Sequence, residues 1–198
     1  MDTAYQEPMN LLLSGVGGQG VILASFLLSQ VALEAGYDIK QSEVHGMAQR
    51  GGSVVSHLRF GHKVYAPLFT PGQADLLLSF EPLEALRYLH WLKKDGLLVY
   101  NTVRVNPSTV SSGAAEYPEG VEERIGRSFG RVVGLNAVAI AAQAGTARAA
   151  NLVLLGAASP SLPFSREMWD AVLKRELASN VLEVNLKAFQ LGRAAVEG

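Results

Sequence analysis

The sequence predicts an α/β fold: a mixed twisted sheet with helices on both faces and an Ala-rich helical C-terminal third. Two observations support this prediction. Short apolar runs typical of strands alternate with helical segments over the first two thirds of the 198 residues. From about residue 136 to residue 198 alanine is frequent and the apolar period is helical. We treat residues 1–198 as a single domain.

The first predicted unit is a strand, a glycine turn, a helix and a second strand. Residues 10–14 are an apolar run typical of a buried strand, and a helix follows over residues 18–35. Residues 37–41 predict the second strand, which completes a βαβ unit. Residues 42–52 contain three glycines and lack a clear period, so we predict a loop there.

A β-hairpin is predicted after the first βαβ unit. Residues 53–60 alternate at period two, and Gly61-His62 suits a type II′ turn. Residues 63–66 would then return antiparallel, which makes the sheet mixed.

The remaining elements follow from short runs and their flanking residues. Pro82 suits the first position of a helix over residues 83–92, which Asp95-Gly96 would end. Further strands are predicted over residues 74–80, 97–101 and 131–135, and helices over 137–144, 146–157, 165–177 and 181–196. Residues 103–130 are compatible with a short strand, a loop or a helix around 121–126.

Charge and cysteine content exclude several classes of protein. With 17 basic and 18 acidic residues and no basic stripe, the chain has no feature that favours nucleic acid. No apolar run is long enough to span a membrane, and the first nine residues lack the cationic region of a signal peptide, so we expect a cytoplasmic protein. The absence of cysteine excludes disulfides, thiolate nucleophiles and cysteine-ligated zinc or iron–sulfur clusters. We predict no metal site and no catalytic residue in this chain.

A glycine-rich motif stands between the first strand and the first helix. It reads Gly15-Val16-Gly17-Gly18-Gln19-Gly20. In this context the motif is typical of dinucleotide binding, with Glu43 placed to bind a ribose. The alternatives are an anion site at the helix start and a turn with no ligand. Our candidates for anion or ligand binding are Gly15, Gly17, Gly18, Gln19 and Gly20.

A second motif follows the second strand and reads SEVHGMAQRGGSV over residues 42–54. It places an imidazole, an amide and a guanidinium on a loop flanked by glycine, and a guanidinium suits phosphate or carboxylate. A surface loop whose arginine pairs with a nearby carboxylate is the alternative. Our candidates for a loop that faces an active site are His45, Gln49, Arg50, Gly51 and Gly52.

Both motifs, in their order and spacing, resemble the gamma-type domain of 2-oxoacid:ferredoxin oxidoreductases. HGMAQRGGSVVSH is most similar to the beta subunit of the indolepyruvate branch. YAPLFTPGQADLLLSFEPLEALRYL and ANLVLLG extend the resemblance over nearly the whole chain, residues 103–130 excepted.

The resemblance implies a role within a larger enzyme. Members decarboxylate a 2-oxoacid on thiamine diphosphate, pass electrons through iron–sulfur clusters to ferredoxin and release an acyl-CoA. The thiamine signature, GDG followed by an Asn-Asn pair, is absent here. The resemblance therefore implies no cofactor in this chain, thiamine diphosphate and clusters on a large partner subunit, CoA as co-substrate, and inactivity alone.

Two other classes remain open from the residues themselves. One is a stand-alone NAD(P)- or nucleotide-binding protein of the Rossmann type, and the other is a non-catalytic regulator that binds an anion. A hydrophobic content of 48% predicts an apolar surface that a partner covers, or else a well-filled core.

Overall fold

The computed structural model describes residues 7–45, 51–127 and 131–197. Within these ranges six strands form one mixed sheet in the order β2-β3-β1-β4-β5-β6. The strands are β1 Met9–Val16, β2 Asp38–His45, β3 Ser53–Gly61, β4 Ala74–Ser79, β5 Leu92–Asn101 and β6 Val132–Leu135. Strands β1, β4, β5 and β6 are mutually parallel, whereas β3 lies antiparallel between β1 and β2.

The helices lie on both faces of the sheet, as predicted. They are α1 Val21–Glu34, α2 Pro82–Tyr88, α3 Ser108–Ser111, α4 Val121–Gly126, α5 Ala137–Ala144, α6 Ala150–Ala158, α7 Arg166–Glu176 and α8 Ser179–Glu197. Short 3-10 turns adjoin α2 and α6. No helix in these ranges is both long enough and apolar enough to cross a bilayer.

The central strand β1 contributes side chains to two separate hydrophobic cores, because successive side chains of a strand point to opposite faces of the sheet. Leu11 and Leu13 pack with α1 and the C-terminal helices, whereas Leu12 packs with α2 and α4. All three leucines are fully buried. The alanine-rich segment completes the larger core, where small side chains let α6 and α8 approach closely.

The predicted return strand at residues 63–66 is wrong. Both edges of β3 are already occupied, by β1 on one side and β2 on the other. The chain after Gly61 instead covers the start of β2, where Val64 N–H donates to the Asp38 carboxylate at 3.0 Å. The hairpin of this sheet is therefore formed by β2 and β3. Strand β2 includes residues 42–45, which we predicted as part of a loop.

The helix predicted over residues 83–92 is also too long. Pro82 does occupy the first helical position, and Glu81 caps the helix, but α2 ends at Tyr88. Asp95 and Gly96 lie inside β5, where the ladder with β4 shifts register. The pairing of β5 with β4 thus determines the structure at Asp95-Gly96, although this dipeptide by itself favours a turn.

Candidate functional site

The glycine turn lies at the carboxyl edge of the parallel strands, between β1 and α1. Gly20 is the N-cap of α1 in a left-handed conformation, with φ of 82°. A Cβ on Gly20 would stand 2.5 Å from Nδ2 of Asn151, so the glycine admits the start of α6 against the turn. Open α/β sheets bind ligands in the crevice outside the carboxyl ends of their strands.

Gln19 fastens this turn to the sheet. Its Oε1 accepts the Val16 N–H at 2.7 Å, and its Nε2 donates to the Phe80 carbonyl at 2.9 Å. Gly15 has a related packing role, since a Cβ there would stand 2.9 Å from Cβ of Phe80. These two members of the motif shape the turn through contacts within the chain.

The structure brings the two sequence motifs together through their glycines. Gly17 N–H donates to the Gly52 carbonyl at 2.8 Å, and Gly51 N–H donates to the Gly17 carbonyl at 3.4 Å. Gly51 in turn accepts the Ser108 N–H at 2.8 Å. The end of the second motif is therefore part of the glycine-turn site, although Gly51 lies 31 positions after Gly20 in sequence.

The other members of the second motif are placed only in part. His45 is the last residue of β2 and stands opposite Val54 in the ladder. Gln49 and Arg50 lie outside the described residues. Their candidate roles stay predictions from the sequence.

Ser53, near the end of the second motif, is held by a buried carboxylate. Its hydroxyl donates to Oε2 of Glu84 at 2.5 Å, and Arg87 contacts the other oxygen at 3.2 Å. Burial raises the pKa of Glu84, against the lowering effect of the Ser53 hydrogen bond. This pair fixes the start of β3 beside the glycine turn.

A cavity of about 190 Å³ opens beside Gly18. Two polar side chains that the sequence analysis did not single out as site residues, Arg148 and Asn151, line it together with Asn101. Asn151 is only 7% exposed, and its amide forms no hydrogen bond with the described part of the chain. Asn101, by contrast, has partners within the chain: it donates to the Phe80 carbonyl and accepts from two backbone N–H groups.

The electrostatic character of this cavity favours an anion. Arg148 forms no ion pair within residues 7–45, 51–127 and 131–197, and the cavity lining contains no carboxylate. The first turn of α1 lacks acidic residues, so its positive dipole end is uncompensated. Backbone N–H groups at such a helix start bind phosphate or carboxylate. The signal that points to Asn151 and Arg148 is tertiary, since both lie more than 125 residues after the glycine motif.

A second cavity, of about 310 Å³, adjoins the same turn on its other side. Its lining is largely apolar and includes Val21, Ile22 and Val54. It continues into an exposed apolar surface on α1, which we call the α1 face. The α1 face comprises Ile22, Leu23, Phe26 and Leu33.

Strand order argues against dinucleotide binding at the glycine turn. In the Rossmann arrangement the second strand lies directly beside the first. Here β3 separates β2 from β1, so Glu43 stands two strands, or about 10 Å, away from the strand that carries the turn. Glu43 also accepts a hydrogen bond from Gln41 at 2.8 Å.

The fold and this site define an α/β domain with an anion-sized cavity at the carboxyl edge of its sheet. The family model of pyruvate ferredoxin/flavodoxin oxidoreductase matches residues 10–195. The indolepyruvate oxidoreductase subunit IorB of Thermococcus kodakarensis is 42% identical over 196 residues, which cover 95% of this chain and 96% of the relative. This chain therefore belongs to the pyruvate ferredoxin/flavodoxin oxidoreductase family.

Solved structures agree with this fold. The gamma subunit of a keto/oxoacid ferredoxin oxidoreductase from Geobacter sulfurreducens has a TM-score of 0.70 and 25% identity, and the match covers 96% of this chain and 98% of that one. The 2-oxoglutarate:ferredoxin oxidoreductase of Magnetococcus marinus, solved with 2-oxoglutarate, coenzyme A and succinyl-CoA, has a TM-score of 0.72 and 20% identity. That match covers 97% of this chain but 31% of the longer one, and it bears on the fold alone.

Proposed function

We propose that this chain is the small subunit of an indolepyruvate:ferredoxin oxidoreductase, inactive alone. The assembled enzyme converts an arylpyruvate and CoA to the acyl-CoA and CO2, and passes the electrons to ferredoxin. The observation that carries this proposal is the 42% identity to an indolepyruvate oxidoreductase subunit over nearly the full length of both chains.

The prosthetic groups of this enzyme are expected on a large partner subunit. The chain has no cysteine to ligate an iron–sulfur cluster, and it lacks the thiamine signature of the resembled family. Ferredoxin would accordingly exchange electrons with the large subunit. The small subunit contributes binding surfaces and positioning.

The α1 face is the proposed contact with the large subunit. Helix α1 carries a single charged residue, Glu34, and its outer surface exposes Ile22, Leu23 and Phe26. A surface helix that exposes several large apolar side chains needs a cover, since a monomer would normally place charged residues there. This cover would also close the apolar cavity beside the glycine turn.

The 190 Å³ cavity is the proposed site for an anionic group of CoA, or for the carboxylate of the oxoacid. Support comes from Arg148, the buried amide of Asn151 and the helix start after Gly18. Asn151→Leu keeps the size of the side chain and removes its polar atoms. We expect this variant to raise the KM for CoA in the assembled enzyme by about tenfold, the cost of one hydrogen bond to a charged group.

Arg50 is the residue of the second motif that we propose to contact the oxoacid or CoA. A guanidinium stays charged at any working pH and matches a carboxylate or phosphate with two parallel hydrogen bonds. We expect Arg50→Lys to keep part of the turnover, and Arg50→Ala to lose about tenfold to a hundredfold. A sharp fall in melting temperature with unchanged kinetics would assign this loop a structural role.

Reconstitution tests the proposed function as a whole. The chain is co-expressed with its large partner subunit, and ferredoxin reduction is measured with indolepyruvate, pyruvate and 2-oxoglutarate. We expect activity only in the assembled enzyme and the highest kcat/KM with indolepyruvate. Micromolar binding of NAD or NADP by the isolated chain, about −8 kcal/mol, would instead favour a stand-alone nucleotide-binding protein.

A further inference from the structure

A buried carboxylate, Glu81, lies two residues after β4. Glu81 is fully buried, and among the described residues no ion pair involves it. Its Oε2 accepts the Glu84 N–H at 3.1 Å and so caps α2. Because a buried charge destabilises the fold unless hydrogen bonds satisfy it, the partners of its second oxygen matter.

That second oxygen holds the segment that follows β5. Oε1 of Glu81 accepts the Tyr117 hydroxyl at 2.6 Å and the Val105 N–H at 3.4 Å. The Arg104 guanidinium covers the Tyr117 ring at 3.7 Å from its centre. Burial and the hydrogen bond to Glu81 raise the pKa of Tyr117, so its hydroxyl remains a donor at working pH.

The same segment supplies one wall of the 190 Å³ cavity. Val105 lines that cavity opposite the glycine turn and α6. Between Val105 and Tyr117 the chain is also tied to the second motif, through the Ser108 N–H and the Gly51 carbonyl at 2.8 Å. Tyr117 itself does not line the cavity; it reaches the wall only through Glu81.

We propose that Tyr117 is a positioning residue for ligand binding: acting through Glu81, it holds the Val105 wall of the cavity in its binding geometry. The inference rests on the proposed function, in which this cavity takes an anionic group. A wall that is already ordered need not be immobilised when the ligand binds, and this raises affinity without a direct contact. It also gives a role to the part of residues 103–130 for which the sequence offered none.

The test uses the isolated full chain and inorganic phosphate. Tyr117→Phe removes the hydroxyl and keeps the ring beneath Arg104. Tyr65→Phe, at an exposed tyrosine, is the matched control, and Val172→Ala on α7 lowers stability away from the cavity. We expect Tyr117→Phe to weaken phosphate binding by about fivefold, and both controls to stay within about twofold of the unaltered chain.

The outcomes separate this inference from the proposed function. Phosphate binding by the unaltered chain together with equal binding by Tyr117→Phe overturns the positioning role alone, as does an equal weakening by Val172→Ala. Absence of phosphate binding by the unaltered chain overturns the anion site and this inference together. If Tyr117→Phe does not fold, hydrogen exchange of the unaltered chain decides: the Val105 amide should already exchange slowly without phosphate, and fast exchange of this amide would reject the role.

Discussion

Gly18 of the amino-terminal turn and the glycines at the crossing of α6 with α8 have different surroundings. A Cβ on Gly18 would meet no atom within 4 Å, whereas a Cβ on Gly156 or Gly192 would stand 2.0 Å from a backbone carbonyl of the facing helix. The first kind of glycine leaves space beside a cavity, and the second kind removes space between two helices. Glycine count alone does not distinguish a binding turn from a packing contact.

The largest expected effect comes from adding a side-chain atom at the point where α6 and α8 cross. In Gly192→Ala the new Cβ would overlap the Val153 carbonyl, a backbone atom that cannot move without displacing α6. We expect a loss of about 3 kcal/mol or more in the free energy of unfolding. Denaturant titration measures it. A loss below about 1 kcal/mol would mean that the helices separate easily, contrary to the close packing described here.

Gly20→Ala combines features of both regions and should have the next largest effect. The left-handed backbone at φ of 82° costs about 1–2 kcal/mol for a residue with a Cβ, and the Cβ would displace the Asn151 amide. We therefore expect lower stability together with loss of phosphate binding. Retained phosphate affinity in a folded Gly20→Ala chain would contradict the placement of Asn151 in the site.

Gly18→Ala and Gly36→Ala form a matched pair at the two ends of α1. Both positions have positive φ, at 102° and 80°, and both have open space around a new Cβ. Each variant should lose about 1 kcal/mol of stability through backbone strain. Only Gly18→Ala should weaken phosphate binding, because only Gly18 borders the cavity. Equal phosphate affinities would remove Gly18 from the site.

The smallest expected effect is a pH dependence of the packed interior. His57 on β3 is buried between Phe69 and Trp91, and burial lowers its pKa below the ordinary value of about 6.5. The unfolded chain therefore binds more protons, so stability is full above pH of about 6.5 and falls as the pH drops below it. His57→Phe should flatten this slope between pH 7 and pH 5, and His62→Gln at an exposed site should not.

Sulfate binding provides the comparison for that pH series. The cavity lining contains no histidine or carboxylate within the described residues, and sulfate keeps its charge over this range. The affinity of the folded chain for sulfate should thus stay constant while its stability falls. If the affinity for sulfate instead falls with pH in parallel with the stability, protonation in the interior also changes the glycine turn.

Much of the fold follows from local pattern. The buried run before the glycines, the N-terminal proline of α2 and the alanine-rich helices each predict an element that the structure contains. The wrong predictions lie where pairing between strands determines whether a segment is a strand. Residues 42–45 join a strand because β3 pairs with them, and residues 63–66 do not, because both edges of β3 are taken.

The site also has residues that the sequence predicts and residues that only the structure places there. The glycine turn and the second motif are visible in sequence because they are short and dense. Asn151 and Arg148 are isolated residues on a distant helical segment, and the hydrogen bonds of Glu81 with Val105 and Tyr117 join two separate segments. No local pattern records such contacts.

The sequence by itself determined the family, the α/β class, the exclusion of cysteine-based chemistry and the position of the glycine turn. These depend on residue identity and on spacing along the chain. Only the tertiary structure decided that β3 separates β2 from β1, a strand order unlike the Rossmann arrangement. It also placed the Asn151 amide and the Arg148 guanidinium beside the turn. Strand order and cavity lining depend on which distant segments pack together, and that is set by the burial of apolar surface over the whole chain.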